Sequence, residues 1–407
     1  MAFDPKDGRE RRRELLRKIG QIRGSSVIGY ICSDRQHPFA FAAISADIIR
    51  PMYDHLLALG NLSSEKGKLD LFIYSRGGDV SVPWTLVSMV RECYQHFNVL
   101  IPFRAHSAAT MIAIGADNII MGRKGELGPI DPTLSRQSQV GAPPAEIPVE
   151  DVSSYLNFIK ERAGITDQSA LAQCTTSLAE QLQPLTLGSV NRMYSHIRSV
   201  AKKLLTARAD KKLDEERIRV ITEVLTEKIY YHGHSISRRE AQELGLAVAE
   251  DVSGELETLM WALFEEYERF LQLREPIDPM YLLDQGKAEE LSLKDVAIGC
   301  IESDQGLHLF QHDITFARQR RIPPNPNINI NLNLQMPQPA GLPAGAPMPM
   351  PALPQQVVDQ LMQQIQQTVR QQIIQQSEVV GLQVRMANGS WREIELTKSG
   401  GAGDGKS

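Results

Sequence analysis

Cysteine is scarce in this chain, with four in 407 residues, and no two lie close together. Cys32, Cys93, Cys174 and Cys300 form neither a CxxC pair nor a metal-ligand spacing. A disulfide framework and a zinc site are therefore disfavoured, reduced and mostly buried thiols are expected, and no metal or cofactor is called for. Long apolar runs are missing as well: no window reaches the ~18 uninterrupted apolar residues of a membrane span. The opening "MAFDPKDGRERRRELLRKIG" carries arginines with no apolar stretch behind them, so no secretory signal is read there and a cytoplasmic location is expected. Charge of one sign is also lacking. With 44 basic against 49 acidic residues, a net charge of -5 gives no general reason to expect nucleic acid, and the basic run up to Gly24 reads as a solvated helix face. No Walker-type loop is found, so the chain shows no ATP motor of its own.

What is present is the balance of a soluble globular protein, 42% hydrophobic and 23% charged. From Ser26 to Met121, short β-rich runs alternate with helical stretches. "SVIGYICS", "LDLFIYS", "NVLIPF" and "NIIM" read as strands, with helices around Ala46–Leu59 and Pro83–Tyr94 and another opening at Ser107. Strands alternating with helices predict an α/β layered fold with largely parallel pairing. From Val149 to about Leu273 the pattern is nearly all helical. Asp251 or Ser253 is placed to cap the last long helix, and "SRRE" at Ser237–Glu240 fits a capping box.

Farther on, "VAIGCIESDQGLHLFQHDITFA" reads as a hairpin about Ser303–Gly306. Residues 321–354 are dense in proline and read as an extended linker. Beyond it, Val358, Leu361, Ile365, Val369 and Ile373 form one apolar stripe on a glutamine-rich helix, and "EVVGLQVRMANGSWREIEL" reads as two strands around an Asn388–Gly389 turn. The expected organisation is a basic N-terminal helix (1–25), a main domain (26–275), an extension with the hairpin (276–320), the linker (321–354), an assembly or adaptor-docking module (355–397) and a disordered tail (398–407).

Two stretches carry chemistry. In "LFIYSRGGDV" a strand ends in Gly77-Gly78, where no side chain blocks the approach of a ligand to the backbone N–H groups. In "AHSAATMIAIGAD" Ser107 stands at a helix N-terminus, and the Ala108 N–H faces the same way as the helix dipole. Together these are the parts of an oxyanion hole beside a nucleophile. Read separately they are a glycine turn and an ordinary serine cap. A serine needs a base. His106 is adjacent and points elsewhere, and the next histidine is His196. Between them lie Lys124, in the glycine-flanked turn "GRKGELG", and Lys160, in the helical "VSSYLNFIKERAG", which is better placed for burial. "YHGHS" at Tyr231–Ser235 is a surface turn rather than a metal site.

"YSRGGD", "HSAATMIAIGAD", "ELGPIDP" and "HSISRREAQELGLAV", in that order, resemble the ClpP/crotonase superfamily, and most closely the serine dehydrogenase proteinase family of signal peptide peptidase A-like serine peptidases. The resemblance covers about Ser26 to Val252. It implies a ClpP/crotonase-like ββα superhelix, here with a helical second half and a flexible C-terminal extension. It also implies peptide-bond hydrolysis by a Ser-Lys dyad, with Ser107 as nucleophile, Lys160 as base by its spacing, and Gly77, Gly78 and Ala108 at the oxyanion. Glu126 and Asp131 of "ELGPIDP" are then hydrogen-bonding residues. A homo-oligomer is implied as well, while the membrane anchor common among signal peptide peptidases is not read in the sequence, a departure that favours soluble polypeptides as substrates. Rivals are a crotonase-like acyl-CoA thioester enzyme and a non-catalytic scaffold; His196, His232 and His234 are the rival bases.

Overall fold

The computed structural model describes residues 4–36, 40–60, 67–130, 133–136, 145–182, 184–209, 212–228, 233–321 and 355–395. The chain divides into two compact units, one formed by Met1–Ile277, Lys294–Asp313 and Met386–Ser407, the other by Asp278–Leu293 and Ile314–Arg385.

The first unit opens with α1 (Arg9–Arg23) and β1 (Ser26–Cys32), followed by α2 (Ile49–Ala58), β2 (Lys68–Tyr74), α3 (Val82–Cys93), β3 (His96–Ile101), the short β4 (Arg104–Ala105), α4 (Ala108–Ile114) and β5 (Asn118–Met121). The alternation expected from the sequence is thus present element by element. β1, β2, β3 and β5 are parallel neighbours, in register at Ser26↔Leu69, Lys68↔His96 and Asn98↔Asn118. Beyond them come β6 (Glu126–Leu127), the ribbon β7 (Thr133–Arg136) and β8 (Ala145–Pro148), then α5 (Val149–Asn157), α6 (Gln168–Leu182), α7 (Pro184–Thr206) and α8 (Glu215–Glu223). β9 (Ile236–Ser237), α9 (Arg238–Glu243) and α10 (Gly254–Phe270) complete the helical half. Ser253 and Ser237 cap α10 and α9, their hydroxyls accepting from Leu256 N–H and Glu240 N–H.

Both faces of the parallel strands are covered, which is why they read as near-continuous apolar runs rather than alternating ones. The pleat sorts them: Ile28, Tyr30, Leu71 and Ile73 join one core cluster with Met52, Val87, Ile112 and Leu204 of the helices. Val27, Ile31, Phe72 and Tyr74 join the other, with Leu15, Ile19, Phe264 and Tyr267 of α1 and α10. The basic N-terminal helix is therefore part of this unit's core. Two of its arginines are buried rather than solvated, Arg9 Nη1 lying 2.5 Å and Arg12 Nε 2.6 Å from the carboxylate of the fully buried Glu302.

The hairpin about Ser303–Gly306 is formed by β10 (Glu290–Glu302) and β11 (Leu307–Arg321), closed by Ser303 N–H to Gly306 O at 3.0 Å. β10 pairs antiparallel with β1 at Gly29↔Glu302, and the full sheet runs β12-β11-β10-β1-β2-β3-β5. The second unit contains α11 (Pro279–Gln285) and α12 (Gln355–Gln376), where Leu361, Ile365, Val369 and Ile373 form the half-buried stripe expected of them. The proline-rich stretch from residue 322 to 354 lies outside the described residues. One expectation fails: the two strands about Asn388–Gly389 are a single strand, β12 (Glu378–Glu393). A tight hairpin turn of this kind needs two successive residues at positive φ. Asn388 has it (φ 58°), Gly389 does not, and the Asn388 amide instead donates to Asp313 at 2.8 Å.

Candidate active site

The end of β2 and the start of α4 meet through Ser75. Its N–H donates to Arg104 O and its carbonyl accepts from His106 N–H, both at 3.0 Å, a parallel bridge that ties the strand end to the residue before Ser107. Its hydroxyl, fully buried, accepts from Gly77 N–H at 3.0 Å. Gly77 and Gly78 then take φ values of 109° and 152°, a region side chains rarely occupy. Space demands glycine there too. A Cβ on Gly77 would sit 2.6 Å from Ser107 Cβ, and one on Gly78 would sit 2.2 Å from Ile44 O. The Ile44 backbone runs alongside, its N–H donating to Gly77 O and its carbonyl accepting from Asp79 N–H, each at 2.8 Å.

Ser107 is the N-cap of α4 by position but does not cap with its side chain. Its backbone is strained, with φ 50° and ψ -115°, and it is 9% exposed. The ordinary-cap reading is thereby set aside, because a capping serine has an extended backbone and spends its hydroxyl on the helix. Every residue of α4 is buried, and Thr110 anchors it: Thr110 Oγ1 lies 2.8 Å from both Ala105 O and Gly128 O and accepts from Gly128 N–H at 3.1 Å. Among the described residues, neither Gly78 N–H nor Ala108 N–H has a hydrogen-bond acceptor, and nothing hydrogen-bonds to Ser107 Oγ. The Gly77 N–H, by contrast, is taken by Ser75.

The side of the site toward β6 is charged. Glu126 lies 3.2 Å from both Arg104 Nε and His106 Nε2 and accepts from the Ser235 hydroxyl. Burial works to raise its pKa, but Ser235, His106 and Arg104 together hold it below the usual carboxylate range. Burial pushes His106 below its ordinary value against the pull of Glu126. No hydrogen bond among the described residues joins it to Ser107. Asp34 accepts from Tyr74 at 2.8 Å, Arg76 at 2.9 Å and Arg104 at 3.1 Å, fastening the same wall. Glu126 is the hydrogen-bonding residue that the sequence motif implied; Asp131 lies outside the described residues.

The structure brings Ser107 against Gly77, with Gly78 and Ala108 adjoining them in the chain. Lys160 sits on a π-helical turn, Phe158–Arg162, with its side chain exposed and no ion pair among the described residues. Lys124 is exposed over the Phe103 ring at 4.8 Å. His196 is exposed on α7, His234 Nε2 lies 2.9 Å from Glu240 Oε1, and His232 is outside the described residues. Sequence reading passed over Ser75, although a serine two residues before a glycine can fold its hydroxyl back onto that glycine's N–H.

The site thus combines a parallel sheet whose second strand ends in two glycines with a strained serine at a helix start. Residues 4–150 match the family of ClpP-like SDH-type serine proteinases. That span holds Ser107 and the glycines but not Lys160. Two uncharacterized proteins of Methanocaldococcus jannaschii are relatives. MJ0137 is 28% identical over 252 residues, 61% of this chain and 77% of its own; MJ1495 is 24% identical over 250 residues, 60% and 73%. Among solved structures, the chain is similar to a membrane-bound stomatin-specific protease, 1510-N (14% identity, TM-score 0.33, 56% of this chain and 82% of that one). It is also similar to ClpP1 of Listeria monocytogenes (13% identity, TM-score 0.30, 60% and 99%). Among the described residues, no helix is long and apolar enough to cross a membrane.

Proposed function

We propose that this protein is a serine endopeptidase acting on soluble polypeptides from a cytoplasmic homo-oligomer. The observation that carries the reading is a strained, uncapped Ser107 hydroxyl standing over Gly77, beside two N–H groups, those of Gly78 and Ala108, that have no acceptor among the described residues. Ala108 is fully buried, and a buried backbone N–H is nearly always paired, so its unspent donor next to the serine supports a ligand there, while the exposed Gly78 leaves its own N–H open to an incoming carbonyl.

In the proposed reaction, Ser107 Oγ attacks a peptide carbonyl and its proton passes to the neutral amine of Lys160. The oxyanion is held by Gly78 N–H and Ala108 N–H. As the tetrahedral intermediate collapses, the C–N bond breaks and the leaving amine takes the proton from Lys160. Water, deprotonated by the Lys160 amine, then attacks the acyl ester, and as the C–O bond to Ser107 breaks Lys160 returns the proton to Ser107 Oγ. Lys160 is exposed in this conformation, so the base role requires bound substrate or a second copy to cover it. The α12 stripe is the proposed site for self-association or an adaptor.

The test is labelling with a fluorophosphonate probe, the modified residue being read by mass spectrometry. Labelling at Ser107 that vanishes in Ser107→Ala and falls sharply in Lys160→Ala is expected. Labelling that survives loss of Lys160 keeps the hydrolase and moves the base to a histidine. No labelling of the wild type overturns the reading.

A further inference from the structure

We infer that Ser75 is a positioning residue of the oxyanion hole, fixing which glycine N–H is offered to the substrate; this rests on the serine-peptidase reading above. Ser75 is fully buried, and among the described residues its hydroxyl meets only Gly77 and the buried Cys32 thiol. Two successive glycines have wide conformational freedom, and nothing in their own chemistry decides where their N–H groups point. Three bonds decide it. Ser75 Oγ accepts from Gly77 N–H at 3.0 Å, while Ile44 N–H to Gly77 O and Asp79 N–H to Ile44 O, both 2.8 Å, hold the flanking peptide units. With the Gly77 N–H spent and its carbonyl held, the next peptide plane is set, and Gly78 N–H is the donor left over.

The same residue reaches the other half of the site. Ser75 N–H to Arg104 O and His106 N–H to Ser75 O, each 3.0 Å, lock the strand that delivers Ser107 and Ala108. One residue therefore sets the Gly78 donor through its side chain and the Ala108 donor through its main chain. Only the first link depends on the hydroxyl, which makes it separable by mutation: Ser75→Ala removes the acceptor for Gly77 N–H while leaving the β-bridge to Arg104 and His106 intact. A buried N–H left without a partner will turn toward another acceptor, and the developing oxyanion then meets a misdirected glycine.

The experiment measures the rate of fluorophosphonate labelling at Ser107 against probe concentration, separating the maximal rate of inactivation from the concentration giving half of it. Ser75→Ala is expected to lower the maximal rate by about tenfold or more, with the half-saturating concentration unchanged. Ser75→Cys, which keeps a weak acceptor at the same place, is expected to recover part of the rate. Thermal melting of all three proteins is recorded alongside, and the split between the two kinetic constants is read in variants that melt within a few degrees of the wild type. Labelling of Ser75→Ala at the wild-type maximal rate overturns the inference and leaves the peptidase reading standing. So does a loss confined to the half-saturating concentration, or one that follows the melting temperature and is no smaller in Ser75→Cys. Absence of labelling in the wild type overturns the peptidase reading itself.

Discussion

The α-carbon of Gly77 lies so close beneath Ser107 that a methyl group on it would come within 2.6 Å of Ser107 Cβ and 3.2 Å of Ser107 Oγ. Gly77→Ala must therefore displace either the serine or the glycine loop. It also forces an alanine into φ 109°, so it is expected to destabilise the fold by about 2–3 kcal/mol. Labelling of Ser107 is expected to fall by roughly 100-fold or more, since both the nucleophile and an oxyanion donor move. Urea unfolding and labelling rates, measured on the same preparation, check the two effects together.

Strain at Ser107 makes a second, opposite forecast. Its φ of 50° with ψ -115° is costly for any residue with a Cβ, and its hydroxyl returns nothing by capping α4. Ser107→Gly is thus expected to abolish labelling and to stabilise the protein by about 1 kcal/mol. A change in the denaturation midpoint toward lower urea would mean that the serine side chain makes a stabilising contact in the folded state.

The anchoring of α1 is a matter of stability alone. Glu302 is fully buried with Arg9 and Arg12, and the Arg12 guanidinium also stacks 3.9 Å from the Phe270 ring centre. Glu302→Ala leaves two buried arginines without their carboxylate, and a loss of about 3–5 kcal/mol is expected. The exposed pair Arg50–Asp54 offers the contrast: Asp54→Ala is expected to change stability by no more than about 0.5 kcal/mol. Equilibrium unfolding of both variants decides whether burial makes the difference.

These cases show what the sequence made legible and what it hid. The parallel strands were readable because burial on both faces leaves uninterrupted apolar runs, as in Val27–Cys32 and Leu71–Tyr74. Gly77, Gly78 and Ser107 were readable because they belong to short local motifs. That they converge was not, since Ser75 and His106 meet only through sheet pairing. The carboxylate that buries Arg9 is 293 positions away, so the helix looked solvated. At Asn388–Gly389 the dipeptide promised a turn, but the Asn388 side-chain amide donates a hydrogen bond to Asp313 of the neighbouring strand and the chain continues as one strand. Lys160 was chosen by spacing from Ser107, which says nothing of burial, and its side chain is exposed.

Acid sensitivity should trace in large part to His55. Its ring is buried, with Nδ1 2.8 Å from Ser303 Oγ and Nε2 3.1 Å from His308 Nδ1. Burial first, then His308 and Arg9, push its pKa down from the ordinary 6.5 to about 3, and burial lowers His308 as well. The folded pKa lies below the unfolded one, so between these limits the unfolded chain binds the extra proton. Stability is then full above pH 6.5 and is lost as pH falls toward 3, by up to about 5 kcal/mol for His55 alone. His55→Gln keeps a hydrogen-bonding side chain without a titrating one. It is expected to be less stable than the wild type at pH 7 and to lose less on acidification, so the two curves converge as pH falls. Unfolding free energies at intervals from pH 7.5 to 4 test this. Parallel curves would assign the acid loss to the carboxylates instead, with Glu126 and Asp117, both held below their ordinary values, the first to examine.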